Sequence, residues 1–126
     1  MNQHVAAADA GARVALLEKG EAVGGTTALS GGTTWLPALE GGREDAPAYL
    51  ASLSHGLIDP GLAAAFVDTG PEFLEWAQDR TPVRFHVVPG LPDYHPEHPG
   101  GKPKGGRSFD PDLVRFDRLG EWAQRL

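Results

Sequence analysis

Cysteine is absent from the 126 residues, which excludes disulfides and thiolate metal sites. No apolar run approaches the roughly 18 residues that a membrane span needs. Basic residues are outnumbered, with 11 Lys and Arg against 17 Asp and Glu and a formal net charge of -6. Nucleic-acid binding rests on Lys and Arg at phosphates, so this balance argues against it. Met1-Asn2-Gln3-His4 is not a basic region leading into an apolar stretch, so no signal peptide is expected and a cytoplasmic protein is the default. What the chain has in excess is glycine and proline, 17 and 11. Both point to long loops, or to backbone that must approach a ligand closely.

The order of elements follows from local pattern. Residues 3–10 are alanine-rich and predict a helix, with Gly11 at its C-terminal stop. Arg13–Leu17 is a short apolar run that suits a buried parallel strand. A glycine-rich loop follows from Gly20 to Thr34. Asp45, with Pro47 behind it, predicts a capped helix carrying Tyr49, Leu50 and Leu53. Asp59-Pro60 repeats the signal ahead of Leu62, Phe66 and Val67. Thr69 and Glu72 form a capping box that predicts a separate helix through about Gln78. Val83–Val87 alternates apolar and polar, as in a half-buried strand. Residues 89–107 are loop by composition. Asp117 is the candidate cap of a last helix carrying Leu119, Trp122 and Leu126.

A strand ending in an acid, after an alanine-rich helix, matches the second half of a dinucleotide-binding βαβ unit. There the acid stands about 20 residues beyond a G-x-G-x-x-G loop and bonds ribose hydroxyls. Glu18 has 17 residues before it, and residues 1–10 contain no glycine. The first strand and the fingerprint loop are therefore expected upstream of Met1. The competing readings are that Glu18 merely ends a surface strand, and that the glycines form a flexible linker. Against a linker stand Val23, Leu29, Trp35 and Leu36, apolar anchors among the glycines.

The stretch Val14–Pro37, VALLEKGEAVGGTTALSGGTTWLP, resembles the flavoprotein family of succinate dehydrogenase and fumarate reductase. Within that family it is most similar to 3-ketosteroid Δ1-dehydrogenase-like proteins. DPGLAAAFVDTGPEFLEWAQDRTPVRF and PDYHPEHPGG resemble the same subgroup, so the likeness spans about residues 5–126. It implies an α/β fold over residues 1–126: an incomplete Rossmann-like FAD-binding domain, lacking its first strand and glycine-rich fingerprint, followed by helices and a short strand. It implies FAD as cofactor. Glu18 and the adjoining Lys19 would serve the ribose end, Gly24, Gly25, Thr26 and Thr27 the pyrophosphate, and Ser30, Gly31 and Gly32 the edge of the flavin ring. Tyr94 resembles an active-site tyrosine of the family, although the equivalent position is either Tyr94 or His95, and a packed loop tyrosine is an equal reading.

The implied parent is a dehydrogenase or reductase of CH–CH bonds acting on a 3-ketosteroid or similar cyclic ketone. A fumarate reductase-like protein acting on a small dicarboxylate is the alternative. A non-catalytic truncated chain, or one piece of a split enzyme, is a third. His95 and His98 raise a metal hypothesis, but Pro96 and Pro99 exclude a regular helix through the pair, so a solvated loop is expected and no metal is assigned. Lys102, Lys104 and Arg107 are expected to be a solvated basic face.

Overall fold

The structure is a computed structural model that describes residues 2–125. The chain divides into two units, Met1–Ser30 with Leu113–Leu126, and Gly31–Asp112.

In the first unit the alanine-rich segment forms helix α1, Asn2–Asp9. Gly11 ends it at φ 85°, and Ala12 N–H reaches back to the Ala7 carbonyl at 2.9 Å, the long bond of a Schellman turn. Arg13–Leu17 does not form the expected strand. A strand needs a neighbour to take its N–H and C=O groups, and no described residue lies in register beside it. Leu16 and Leu17 are accordingly exposed, at 66% and 91%. The glycine-rich stretch is more ordered than a loop. It holds a short helix α2, Gly25–Leu29, entered through Gly24 at φ 106°. The Gly24 carbonyl accepts from Thr27 N–H and Ala28 N–H at 3.0 and 3.3 Å. A Cβ at Gly24 would stand 2.7 Å from Ala28 Cβ, so only glycine fits. A kinked 3₁₀ helix, Phe116–Arg125, takes the place of the last α-helix. Asp117 lies inside its first turn rather than at a cap, with its carboxylate held by Arg115 at 2.5 Å. Leu126 lies outside the described residues.

The second unit is built on an antiparallel sheet of order β1-β3-β2: β1 is Thr34–Trp35, β2 is Phe85–Pro89 and β3 is Gly105–Pro111. β2 starts within the segment whose alternation predicted a strand. β3 was hidden by composition, because residues 105–107 lie in the glycine- and proline-rich segment that read as loop. Phe109 of β3 pairs with Val87 on one side and Thr34 on the other. Phe109, Leu36 and Ala38 form the core, covered by Phe73, Leu74, Phe85 and Val87.

Helix α3, Ala46–Leu53, buries Ala46 and Tyr49. Asp45 precedes it as expected but makes no side-chain cap bond. Its carboxylate is taken by Lys102 Nζ at 2.6 Å, which holds the Asp45 pKa below the ordinary value. Helix α4 is a single helix, Pro60–Arg80, where two were expected. Asp59 does cap it, accepting from Leu62 N–H at 3.0 Å. Thr69 does not cap: its hydroxyl donates back to the Ala65 carbonyl at 2.7 Å, which a mid-helix threonine can do. The helix also tolerates Pro71, because Ala63, Val67, Gly70 and Ala77 keep one continuous buried stripe through it.

At the centre of this unit lies a buried ion pair. Arg107 and Asp93 are 0% and 2% exposed and meet at 2.9 Å. Arg107 Nε donates to the Gly42 carbonyl at 2.7 Å, and Nη1 also donates to the Gly100 carbonyl at 3.0 Å. Its guanidinium lies over the rings of Trp35 and Tyr49, at 5.5 and 5.6 Å. Asp93 accepts from Trp35 Nε1 at 2.7 Å and from Lys102 N–H at 2.8 Å. The expected solvated basic face is therefore wrong for Arg107, and Lys102 is engaged with Asp45.

Two outcomes test this account. Arg107→Met strands the Asp93 carboxylate in a dry site, so stability should fall by about 3–5 kcal/mol. Urea unfolding followed by tryptophan fluorescence measures it, and a loss under about 1 kcal/mol would contradict the role given to the pair. Gly24→Ala meets both an unfavourable φ and Ala28, whereas Gly25→Ala meets an unfavourable φ alone. Amide exchange at Ala28 should therefore quicken far more in Gly24→Ala, and equal rates in the two variants would refute the steric argument.

Candidate functional site

Each expected cofactor residue has a definite local setting. Glu18 is exposed, and its Oε1 accepts from Gly20 N–H at 2.8 Å. This bond folds residues 18–20 into a turn. Lys19 is exposed beside it. Gly24 and Gly25 have φ values of 106° and 50°, so two consecutive residues adopt backbone that side chains disfavour. A Cβ on Gly25 would meet nothing within 4 Å, which leaves its peptide face open. Thr27 and Ala28 N–H are taken by the Gly24 carbonyl, which leaves the N–H groups of Gly25 and Thr26 without an intrahelical acceptor, and Gly24 supplies no side-chain cap. Thr26 and Thr27 are exposed on α2. Together these residues present N–H and hydroxyl donors with no bulk in front of them, the donor set an anionic pyrophosphate requires.

Ser30 ends α2, bonding Thr27 O through its own N–H at 3.2 Å. Gly31 and Gly32 belong to the second unit. Gly31 faces open space, while Gly32, at φ 83°, sits against the Pro111 ring, where a Cβ would come within 2.8 Å. Thr34 Oγ1 donates to the Gly32 carbonyl at 3.2 Å, which fixes the turn leading into β1.

Tyr94 is 91% exposed, so it is not a packed loop tyrosine. It stands on a firmly held segment. The preceding Asp93 is buried in the ion pair, and the following His95 donates its N–H to the Tyr49 hydroxyl at 3.2 Å. Asp93 N–H donates to the Lys102 carbonyl at 3.1 Å, closing the base of the loop. Sequence reasoning missed Asp93, Trp35 and Tyr49 as the supports of this loop. The available signal was a lone Arg in a strand-compatible GGRSFDP run. Read as a strand, that run would have asked for an acid to neutralise Arg107.

No helix among the described residues is long and apolar enough to cross a membrane. Comparison with known proteins gives a consistent set of relatives. A 3-oxosteroid 1-dehydrogenase of Mycobacterium tuberculosis (strain ATCC 25618 / H37Rv) is 38% identical over 122 residues, 90% of this chain and 22% of that protein. A 4-oxocyclohexanecarboxylate 2-dehydrogenase of Sinomonas cyclohexanicum is 37% identical over 129 residues, 95% of this chain and 22% of that protein. The crystal structure of a 3-ketosteroid delta1-dehydrogenase from Sterolibacterium denitrificans, in complex with 1,4-androstadiene-3,17-dione, superposes with a TM-score of 0.87 at 29% identity, covering 98% of this chain and 23% of that one. The chain thus spans about a fifth of the length of these relatives. The FAD binding domain family matches residues 5–125, and with the open glycine turn behind Glu18 that match makes the chain a member of this family.

Proposed function

We propose that this chain is the part of an FAD-dependent dehydrogenase that holds the adenosine and pyrophosphate ends of the cofactor. The observation that carries this reading is the turn at Gly24 and Gly25, both at positive φ and with open space over Gly25, six residues after an exposed carboxylate at Glu18. When bound, FAD supplies the acceptor for a hydride removed from a substrate C–H bond. Glu18 accepts hydrogen bonds from the adenosine ribose hydroxyls, a charge-assisted pair, with Lys19 alongside. Gly24 and Gly25 bring backbone N–H groups to the pyrophosphate, and the Thr26 and Thr27 hydroxyls add donors. Ser30, Gly31 and Gly32 keep bulk away from the flavin ring.

The proposed substrate of the whole protein is a 3-oxosteroid or a smaller cyclic ketone, the two classes named among the relatives. Tyr94 is the proposed catalytic residue. Its hydroxyl oxygen, solvent-facing on a loop braced by Asp93 and Tyr49, would accept the proton that leaves the neighbouring carbon as hydride is removed. The domain we propose is an incomplete one: Arg13–Leu17, apolar and exposed, pairs as a parallel strand only against further protein, in the same chain or in a partner chain.

Glu18→Gln, in a longer protein that contains this segment, tests the ribose contact. Hydrogen bonds to a charged group contribute about 1.5–3 kcal/mol, so FAD affinity should fall roughly tenfold to a hundredfold. Turnover at saturating FAD should change little, because the lost contact is equal in ground and transition states. Unchanged affinity would reduce Glu18 to the charged end of an extended segment. Normal affinity with slow turnover would move it toward the chemistry.

A further inference from the structure

The turn after Tyr94 gathers three metal-ligating side chains. One ligand atom each from His95, Glu97 and His98 lies within 4.8 Å of the others. His95 Nδ1 and Glu97 Oε1 are 3.1 Å apart, and the two imidazole rings meet edge to face with centroids 5.5 Å apart. A flexible surface segment would not hold such a set, but this turn is braced throughout. His98 N–H donates to the His95 carbonyl at 3.1 Å, and Gly101 N–H donates to the His98 carbonyl at 2.8 Å. Pro96 and Pro99 restrict φ on either side of Glu97 and His98. A Cβ on Gly101 would stand 2.6 Å from the Pro96 carbonyl oxygen, so the turn closes tightly on itself.

A second observation is independent of the cluster. Ser52 Oγ, on helix α3, lies 2.8 Å from His98 Nδ1. An outer hydrogen bond to one ring nitrogen orients an imidazole and leaves the other nitrogen to a cation, the arrangement that accompanies metal-ligating histidines. Two imidazoles and a carboxylate suit a borderline divalent ion such as Zn²⁺ better than Ca²⁺ or Mg²⁺, which favour oxygen alone. Ligands about 2.0–2.1 Å from zinc stand roughly 3.4 Å apart in a tetrahedron. His95 Nδ1 and Glu97 Oε1, 3.1 Å apart, already stand near that spacing, and water would take the remaining position.

We propose that His95, Glu97 and His98 form a binding site for a divalent cation of the zinc class, braced by Ser52 and placed beside Tyr94. The site shares no residue with the proposed flavin contacts and does not depend on them. Calorimetric titration of the full 126-residue chain with zinc chloride tests it. One zinc ion per chain should bind in the micromolar range, and His95→Ala and Glu97→Gln should each weaken binding at least tenfold. Both side chains are exposed, so neither change should disturb folding, and circular dichroism checks that. His55→Ala, at an exposed histidine elsewhere in the chain, should leave the affinity unaltered. No binding up to millimolar zinc, or an affinity retained by either cluster variant, overturns the proposal.

Discussion

The buried pairing of Arg107 with Asp93 is the constraint on which the second unit depends. A guanidinium and a carboxylate removed from water each carry a desolvation penalty of several kcal/mol, offset only when every polar position finds a partner. Asp93 does so through Trp35, Lys102 and Arg107 itself. Arg107 does so at Nε and Nη1 alone, through Gly42, Gly100 and Asp93, and its buried Nη2 has no hydrogen bond among the described residues. The aromatic faces of Trp35 and Tyr49 cover the guanidinium and exclude water. β1, α3, the loop before β3 and β3 itself are thereby tied to one point. The loop of residues 93–102 is rigid for this reason rather than through any secondary structure, and Tyr94 and the His95–His98 turn inherit that rigidity.

The first unit is organised on a different principle. None of its described residues is buried, so apolar burial contributes little to its order. What shape it has comes from local backbone devices: the Schellman turn at Gly11, the Glu18–Gly20 turn, and the two left-handed glycines that start α2. A segment of this kind gains from a ligand that takes up its free donors and from protein that covers its leucines. The proposed function supplies both: FAD for the N–H groups behind Gly24, and further protein against Val14, Leu16 and Leu17.

The sequence was informative where the governing physics is local. Alanine content and Gly11 gave α1 and its stop, and Asp59-Pro60 gave the start of α4. Alternation located β2 to within two residues. The flavin family was legible from Val14–Pro37, because its glycines, hydroxyls and apolar anchors resemble that family's pattern at fixed spacing. Errors arose where a distant partner decided the outcome. Thr69 and Glu72 look like a cap, yet the buried stripe from Ala63 to Ala77 carries one helix through them. Asp45 looks like a cap, yet Lys102, 57 residues away, takes its carboxylate. Arg107 sits among glycines and lysines that read as a wet loop, and only Asp93 and Trp35 reveal that it is the centre of a core. Arg13–Leu17 has strand composition, but composition does not provide the neighbour that a strand needs.

The central claim is that the bare turn after Glu18 holds a dinucleotide cofactor. Its most direct test is a crystal structure of an FAD-loaded protein containing this segment. The account predicts pyrophosphate oxygens about 3 Å from backbone N–H groups of Gly24–Thr26, and the Glu18 carboxylate within the same distance of the adenosine ribose hydroxyls. A flavin seated away from residues 18–32, with Glu18 facing water, would contradict it.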